Sequence, residues 1–471
     1  MVGAGRLCGR DRDLRALSQA RALDLGRHVV DHTRRGAAGP CLLAPPWSAF
    51  AFGNLARPHR GDLRVPRTGP VPAQEDAPHL VVELDRRQRV TLVWAGLAVV
   101  LAGFEGSILV VALPAVAREF HAGTSALSDF GSVLAVGAVG ALPLANLADR
   151  FGRRRLIAGG VAGFSLVSFA SAYAPSLADL AFLRLFAVCF EVLVVGVATA
   201  LIVEEAPAAR RGLAVSVLAL LSGLGTGITV IFYPLLAPHW RWLFLACGVG
   251  LVAAPLIWWL LPEGRTWQGV RITGSALRLL LQPPWRRRIL ILAAMFALLA
   301  VLLEPAGLLY TLYASEVLSW SPVQISFLIV VAGIAGAVSY LAGGYLTDRF
   351  GRRGPAIALT VATAAATSLS FATSTVGFFV GNVLWSAFAS AATPVFGAWS
   401  GELFPTRARA TAEAAIALAG AIGSIAGLQV LALLSASTGF GGAIELEGLA
   451  AVAGALLLFL LPETKQQPLP E

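Results

Sequence analysis

The chain has 471 residues, of which 57% are hydrophobic and 13% charged, with a mean hydropathy of +0.74. A soluble protein of this length fills its core with far less apolar side chain, so a water-soluble globule is excluded and membrane-spanning helices are expected. The formal net charge is +9, but beyond residue 89 the arginines sit mostly in short turns between apolar runs, where positive charge sets topology and implies no nucleic-acid partner. Cys8, Cys41, Cys189 and Cys247 show no paired spacing, which suggests neither a zinc site nor a disulfide framework, and no cofactor.

Residues 1–88 differ from the rest. Through residue 89 there are 15 Arg and 9 Asp or Glu, and eight prolines fall between Pro40 and Pro78. Leu14, Leu17, Leu23 and Leu25 could form one weak amphipathic helix. No apolar h-region of a signal peptide is present. The composition predicts a disordered cytoplasmic arm or sequence upstream of a misassigned start.

From there, twelve candidate spans follow: 90–117, 126–148, 155–174, 178–204, 212–237, 241–261, 290–314, 322–346, 355–374, 377–400, 411–435 and 441–461. The turns after even-numbered spans hold Arg150, Arg153, Arg154 and Arg155, then Arg210 and Arg211, then six arginines from Arg265 to Arg288, then Arg349, Arg352 and Arg353, then Arg407 and Arg409. The opposite turns hold little beyond Arg118 and Arg241. Positive charge inside places both termini in the cytoplasm of a multi-pass cell-membrane protein.

The chain repeats itself. LADRFGRRR at 147–155 returns as LTDRFGRRG at 346–354, Glu204-x-x-Pro207-x-x-x-Arg211 as Glu402-x-x-Pro405-x-x-x-Arg409, and LLPE at 260–263 as LLPE at 460–463. The shifts stay near 199 residues, so two homologous six-helix halves, 89–262 and 289–465, are expected. A basic linker at 263–288 joins them and a short tail, 466–471, follows. Parallel halves related by an axis along the membrane normal place a substrate site between them near the midplane.

On these phrases the chain resembles the major facilitator superfamily, closest to its branch of sugar porters, organic-ion transporters and metabolite:proton symporters. The resemblance covers about 89–465. It implies an all-α polytopic fold of twelve transmembrane helices, secondary transport without enzymatic activity, and a monomer in the lipid bilayer. The glycine expected four residues before the loop aspartate is present as Gly344 but is Ala145 in the first half. By the resemblance, Asp149 would face the start of span 11 near Thr411, and Asp348 the start of span 5 near Gly212. Arg153, Arg154, Arg352 and Arg353 would pair with Glu204 and Glu402 in cross-half contacts that form when the cytoplasmic side is shut. Arg150, Gly152, Arg211, Arg349, Gly351 and Arg409 complete this gating set.

The chemistry is expected at the midplane. Glu105 in span 1 and Glu304 in span 7 lie 199 residues apart, each followed by a helix-loosening residue, Gly106 or Pro305. Both would project toward the central cavity, and a charge there costs several kcal/mol, which marks it as functional. Arg184 and Glu191 share nearly one face of span 4. Arg184 corresponds to the span-4 arginine of the resembled branch, and its repeat-equivalent is Asn382. Arg184 would neutralise Glu105 until a proton binds, coupling protons to a small organic solute; the alternative is a static ion pair. Asp129 is expected at an interface, and Glu316, Glu445 and Glu447 in external turns. Phe104, Tyr310 and Trp385 are cavity candidates, whereas Trp94, Trp240, Trp242, Trp258 and Trp259 read as interfacial anchors.

No GxxxxGK[ST] loop is present, which disfavours a nucleotide-driven pump. Leu303-Glu304-Pro305-Ala306-Gly307 lacks the glutamines of the sugar porters' span 7, which disfavours sugar. An organic cation, a neutral solute or, through Arg184, an organic acid remain open, as do drug/proton antiport and passive facilitation.

Overall fold

The computed structural model describes residues 85–145, 151–206, 211–264, 275–372, 374–405 and 408–465, with the backbone alone at 142, 143, 145, 211–213, 275–277 and 410. The expected arm up to residue 84, Asp149, Arg150 and Pro207, residues 265–274 of the linker and the tail lie outside the described residues.

The described residues form helices joined by short turns. The N-terminal half contains α1 (Arg86–Glu119), α2 (Thr124–Ala145), α3 (Arg153–Ser171), α4 (Leu177–Glu205), α5 (Arg211–Leu236), and a sixth span divided into α6 (Arg241–Ala246) and α7 (Val249–Leu260). A short α8 (Ser275–Leu280) leads to α9 (Trp285–Glu316), α10 (Pro322–Phe350), α11 (Arg353–Ser370), α12 (Thr375–Leu403) and α13 (Arg409–Leu457). Among the described residues nine helices are long and apolar enough to cross a bilayer. The last two expected spans run as one helix, α13, bent where Gly439 takes φ 74°. The expected crossings each find a helix or an arm of one, a polytopic all-α membrane fold.

Helix starts at one end follow ordinary capping chemistry. The Ser176 and Ser374 hydroxyls accept from the N–H groups of Asp179 and Gly377, and Ser321 with Gln324 forms a capping box before Pro322. At the Arg-rich end the device differs. α3 and α11 begin after Gly152 and Gly351, whose φ values of 92° and 90° suit only glycine. Their free N–H groups are taken by a carboxylate from far along the chain. Glu263 accepts from Arg153 N (2.7 Å) and Arg154 N (3.2 Å), and Glu463 from Arg352 N (2.9 Å) and Arg353 N (3.0 Å). The doubled LLPE phrase is thus a doubled helix cap.

Helices cross tightly where they lack side chains. A Cβ on Gly103 would strike the Ser222 carbonyl (α1 on α5), and on Gly423 or Gly427 the carbonyls of Ala297 or Val301 (α9 on α13). Gly343, not the expected Gly344, makes the corresponding contact of α10 with Ala391 of α12; Gly344 meets open space.

The halves join at the end opposite the Arg-rich turns. Thr311 Oγ1 donates to the Val110 carbonyl (2.5 Å), Ser326 to the Val230 carbonyl (2.9 Å), and Gln429 Nε2 to Asp129 (3.0 Å) and Ser132 (3.1 Å). Arg118 lies 3.5 Å from Glu316. Apolar packing agrees. One core runs through the C-terminal half into Ile108–Ala117, Val230 and Phe244, while Ala95–Ala102, Val161 and Ile257 form a separate core at the Arg-rich end of the first half.

Candidate functional site

Glu105 sits on α1 with no exposed surface. Its Oε1 accepts from Arg184 Nη1 of α4, and its Oε2 from Ser168 Oγ of α3 (2.6 Å) and Cys247 Sγ between α6 and α7 (3.1 Å). Arg184 is 1% exposed, also donates to Ser168 (2.8 Å), and has its guanidinium 5.4 Å from the Phe244 ring centroid. The structure brings the expected pair together, but not where the sequence put it. Glu105 points into its own six-helix half rather than toward a central cavity. α3, α4 and the bend between α6 and α7 supply its partners, so the carboxylate is fully engaged before any solute arrives.

Glu304 does not occupy the mirrored position. It faces α13, where Ser424 Oγ is 3.4 Å from Oε2, beyond the usual O–H···O range. The residue count that aligns it with Glu105 does not align it in space. Asn382, the repeat-equivalent of Arg184, bonds its own helix at the Phe378 carbonyl (2.8 Å) and leaves Glu304 without a basic neighbour on α12.

The gap between the halves opens one helical turn from their junction. Thr311 touches Val110; one turn nearer the Arg-rich end, Gly307 on α9 and Gly106 on α1 are both part-exposed. Glu191 of α4 lies over Gly106, where a Cβ would meet its carboxylate. It is 9% exposed and has no hydrogen-bond partner among the described residues. Opposite, Trp385 of α12 lies over Gly307, 3.7 Å from where a Cβ would be, and meets Tyr310 edge-on with centroids 6.4 Å apart. Glu304, one turn below Gly307, is part-exposed. Phe104 is part-buried against the core, its carbonyl accepting from Thr229 (3.0 Å).

At the Arg-rich end the ion pairs stay within each half, which corrects the expected cross-half pairing. Arg153 reaches Glu204 at 2.5 Å and Arg352 reaches Glu402 at 2.8 Å. The Glu402 hydrogen bonds hold the Arg352 guanidinium above its usual pKa. Arg154 pairs with Glu263 at 3.9 Å, and Arg353 gives its backbone N–H to Glu463. Asp348 is 81% exposed and 3.7 Å from Arg352 of its own half; at the start of α5, where its partner was expected, Arg211 and Gly212 are described by backbone alone. Arg349 bonds Tyr345 (2.7 Å), and Arg409 is buried beside Glu413.

Several residues escaped the sequence reading. Ser168 and Cys247 look like ordinary apolar-span residues, and no signal in the sequence singles them out. Glu447 was expected in an external turn; it lies inside α13, 2% exposed, with neither oxygen hydrogen-bonded. Trp240, expected as an anchor, is 3% exposed and donates to Glu119 (2.6 Å), which also holds Arg241.

Comparison with known proteins places this architecture. The model of the Major Facilitator Superfamily matches residues 95–315 and 305–471. A gallate transporter of Pseudomonas putida is 32% identical over 191 residues, 39% of this chain and 42% of that protein. A puromycin resistance protein of Streptomyces alboniger is 32% identical over 40% of this chain and 38% of its own length. The alignments thus span less than half the length of these two relatives. A 3-(3-hydroxy-phenyl)propionate transporter of Escherichia coli is 27% identical over 71% of this chain and 84% of its own. The inward open conformation of the E. coli xylose transporter superposes with a TM-score of 0.65 at 18% identity, covering 81% of this chain and 98% of that one, which shows the fold alone. The chain is a multi-pass membrane protein, and it belongs to the Major Facilitator Superfamily.

Proposed function

We propose that the protein is a secondary active transporter that moves a small organic solute by alternating access, with proton movement coupled through Glu105 and Arg184. The observation that carries this is the placement of Glu105. It has no exposed surface and is held by Arg184, the only basic residue in the middle of any span. A proton on Glu105 removes the charge that Arg184 neutralises and loosens α1 from α4. The next residue on α1 is Gly106, covered by Glu191 two turns along α4 from Arg184. A change in the buried pair therefore reaches the wall of the gap without solute touching Glu105.

The positive-inside rule makes the Arg-rich end cytoplasmic, with both chain ends there, in the cell membrane. The gap then faces the cytoplasm, and the Thr311, Ser326 and Gln429 contacts are the closed outer gate. The outward state opens these contacts and closes the Arg-rich end, a rocking of two rigid halves. The relatives that transport gallate and hydroxyphenylpropionate or confer puromycin resistance support organic solutes of this size. A monomer suffices, since both halves are in one chain.

Proteoliposomes with an imposed pH gradient, offered gallate, 3-(3-hydroxyphenyl)propionate and puromycin, test this. Glu105→Gln should abolish gradient-driven accumulation yet keep solute exchange across the membrane. Accumulation by Glu105→Gln equal to wild type would refute the coupling role.

A further inference from the structure

Beyond the transporter reading and independent of it, we propose that Glu447 of α13 is a proton-binding site inside the C-terminal half, holding a structural proton where the N-terminal half holds an arginine. The register of the two halves carries this. In the first half a Cβ on Gly248 would meet the Phe169 ring, and in the second a Cβ on Gly448 would meet the Ser368 hydroxyl. The glycines are 200 residues apart and their partners 199. The sixth span therefore lies on the third in the same register in both halves, and Glu447 stands where Cys247 does. Against the first span of each half, a Cβ on Gly225 would strike the Val100 carbonyl and one on Gly423 the Ala297 carbonyl, shifts of 198 and 197 residues. The residue 197 beyond Glu105 is Leu302, not Glu304. The positions that hold Glu105, Arg184, Ser168 and Cys247 in the first half thus hold Leu302, Asn382, Thr367 and Glu447 in the second. The acid has moved from the first span to the sixth, and the base is gone.

What remains cannot neutralise a carboxylate. Asn382 gives its Nδ2 to the Phe378 carbonyl (2.8 Å), Thr367 gives its hydroxyl to the Thr363 carbonyl (2.8 Å), and Leu302 is apolar and fully buried. Glu447 is 2% exposed, and neither of its oxygens has a hydrogen-bond partner among the described residues. Gly441, six residues earlier, lies against the Phe371 carbonyl. There Tyr313, Phe371, Phe378 and Phe440 pack ring on ring, with centroids 5.1–6.3 Å apart, and close the outer end against water. An ionised carboxylate in such a place is strongly penalised with nothing to offset it. A metal cation needs about six oxygen ligands, and these four positions offer a single carboxylate. No group of three or more His, Cys, Asp or Glu suited to a metal occurs among the described residues. A proton needs one oxygen.

The titratable and charged groups on the elements packed around this arm have other partners or lie at the helix ends. On α9, Glu304 faces Ser424, Tyr310 meets Trp385, and Tyr313 gives its hydroxyl to the Phe371 carbonyl. Arg353 of α11 and Glu402 of α12 belong to the Arg-rich end, and Asp129 of α2 bonds Gln429 at the opposite one. On α13 itself Glu445 is exposed, and Glu413 lies beside Arg409. Arg184 is charged at every ordinary pH and serves the first half without a proton. The second half depends on one. The folded half keeps the Glu447 proton to higher pH than the unfolded chain does, so stability is full in acid and falls as pH rises between the two.

The test uses the full chain purified in detergent. An infrared difference spectrum, wild type minus Glu447→Gln at pH 7, should show the carbonyl band of a neutral carboxylic acid. If that band is absent and only carboxylate bands appear, the inference is overturned. Should Glu447→Gln fail to fold, Glu447→Cys takes its place, since the first half houses a thiol at that position. In thermal melts, wild type should lose about 5 °C or more relative to Glu447→Leu between about pH 6 and pH 8. Parallel pH profiles for the two would also overturn it. Exchanging choline chloride for sodium chloride at equal ionic strength should shift both proteins alike. A rise in Tm with sodium in wild type alone would make this a metal-ion site and refute the proton.

Discussion

Replacing Arg184 by methionine tests whether the buried pair is electrostatically closed. The substitution keeps an unbranched side chain in the space of the guanidinium stem but leaves Glu105 with only Ser168 and Cys247 as donors, at 2.6 and 3.1 Å. Removing one partner of a buried pair costs about 3–5 kcal/mol because the other charge stays desolvated. For a six-helix half unfolding as a unit, at about 2–4 °C per kcal/mol, the apparent Tm should fall by roughly 6–20 °C. The double variant Arg184→Met/Glu105→Gln removes the orphaned charge and should recover most of that loss, since neutral pairs in such sites often match the ionic original. The assay is thermal unfolding in detergent, followed by tryptophan fluorescence for wild type, both single variants and the double. If the double variant is as unstable as Arg184→Met alone, Glu105 does not depend on Arg184 for its charge, and the coupling argument loses its foundation.

Three further outcomes follow from the ends of the helices. Burial alone would raise the Glu463 carboxyl, but backbone N–H donors from Arg352, Arg353, Lys465 and Thr464 outweigh it and hold it below the usual carboxylate range. A depressed folded value means stability present above the unfolded value and lost as pH falls through the folded one. Wild type should therefore lose Tm between about pH 5 and pH 3 more steeply than Glu463→Gln. Gly351→Ala forces a φ of 90° on a residue with a Cβ and presses it against Glu463, so it should cost at least about 1 kcal/mol in thermal unfolding. Cysteines placed at Asp129 and Gln429, with Cys8 and Cys41 replaced, should cross-link on oxidation and block transport until reduced; full transport by the cross-linked protein would disprove an outer gate at that contact.

The repeat and the charge parity of the turns made the two-halved, polytopic fold legible, because bilayer thickness and topology rules act on runs of sequence that can be read directly. The Arg184–Glu105 pair was also readable, since two opposite charges in apolar spans have few ways to be satisfied. Their direction was not. Whether a residue on α1 faces its own bundle or the gap depends on helix rotation, and a difference of one position turns the side chain by about 100°. Glu304, next to Pro305, illustrates this: it matches Glu105 by residue count yet faces α13. The partners of Glu263 and Glu463 were hidden for another reason. They are backbone N–H groups, which leave no mark in the sequence except the paired glycines Gly152 and Gly351.

The same caps impose an order on biosynthesis. The start of α3 waits for Glu263, 110 residues downstream, and the start of α11 for Glu463, equally far. Neither bundle can be completed when its third helix is inserted; each closes as its sixth leaves the ribosome. The first half can lock before the second is made, because Glu263 precedes the linker. The second half locks with Glu463, just past its last apolar span. A stop just after Leu460 would keep every apolar span yet release a bundle with its latch missing, a species that membrane quality-control proteases should distinguish from a chain that carries Glu463.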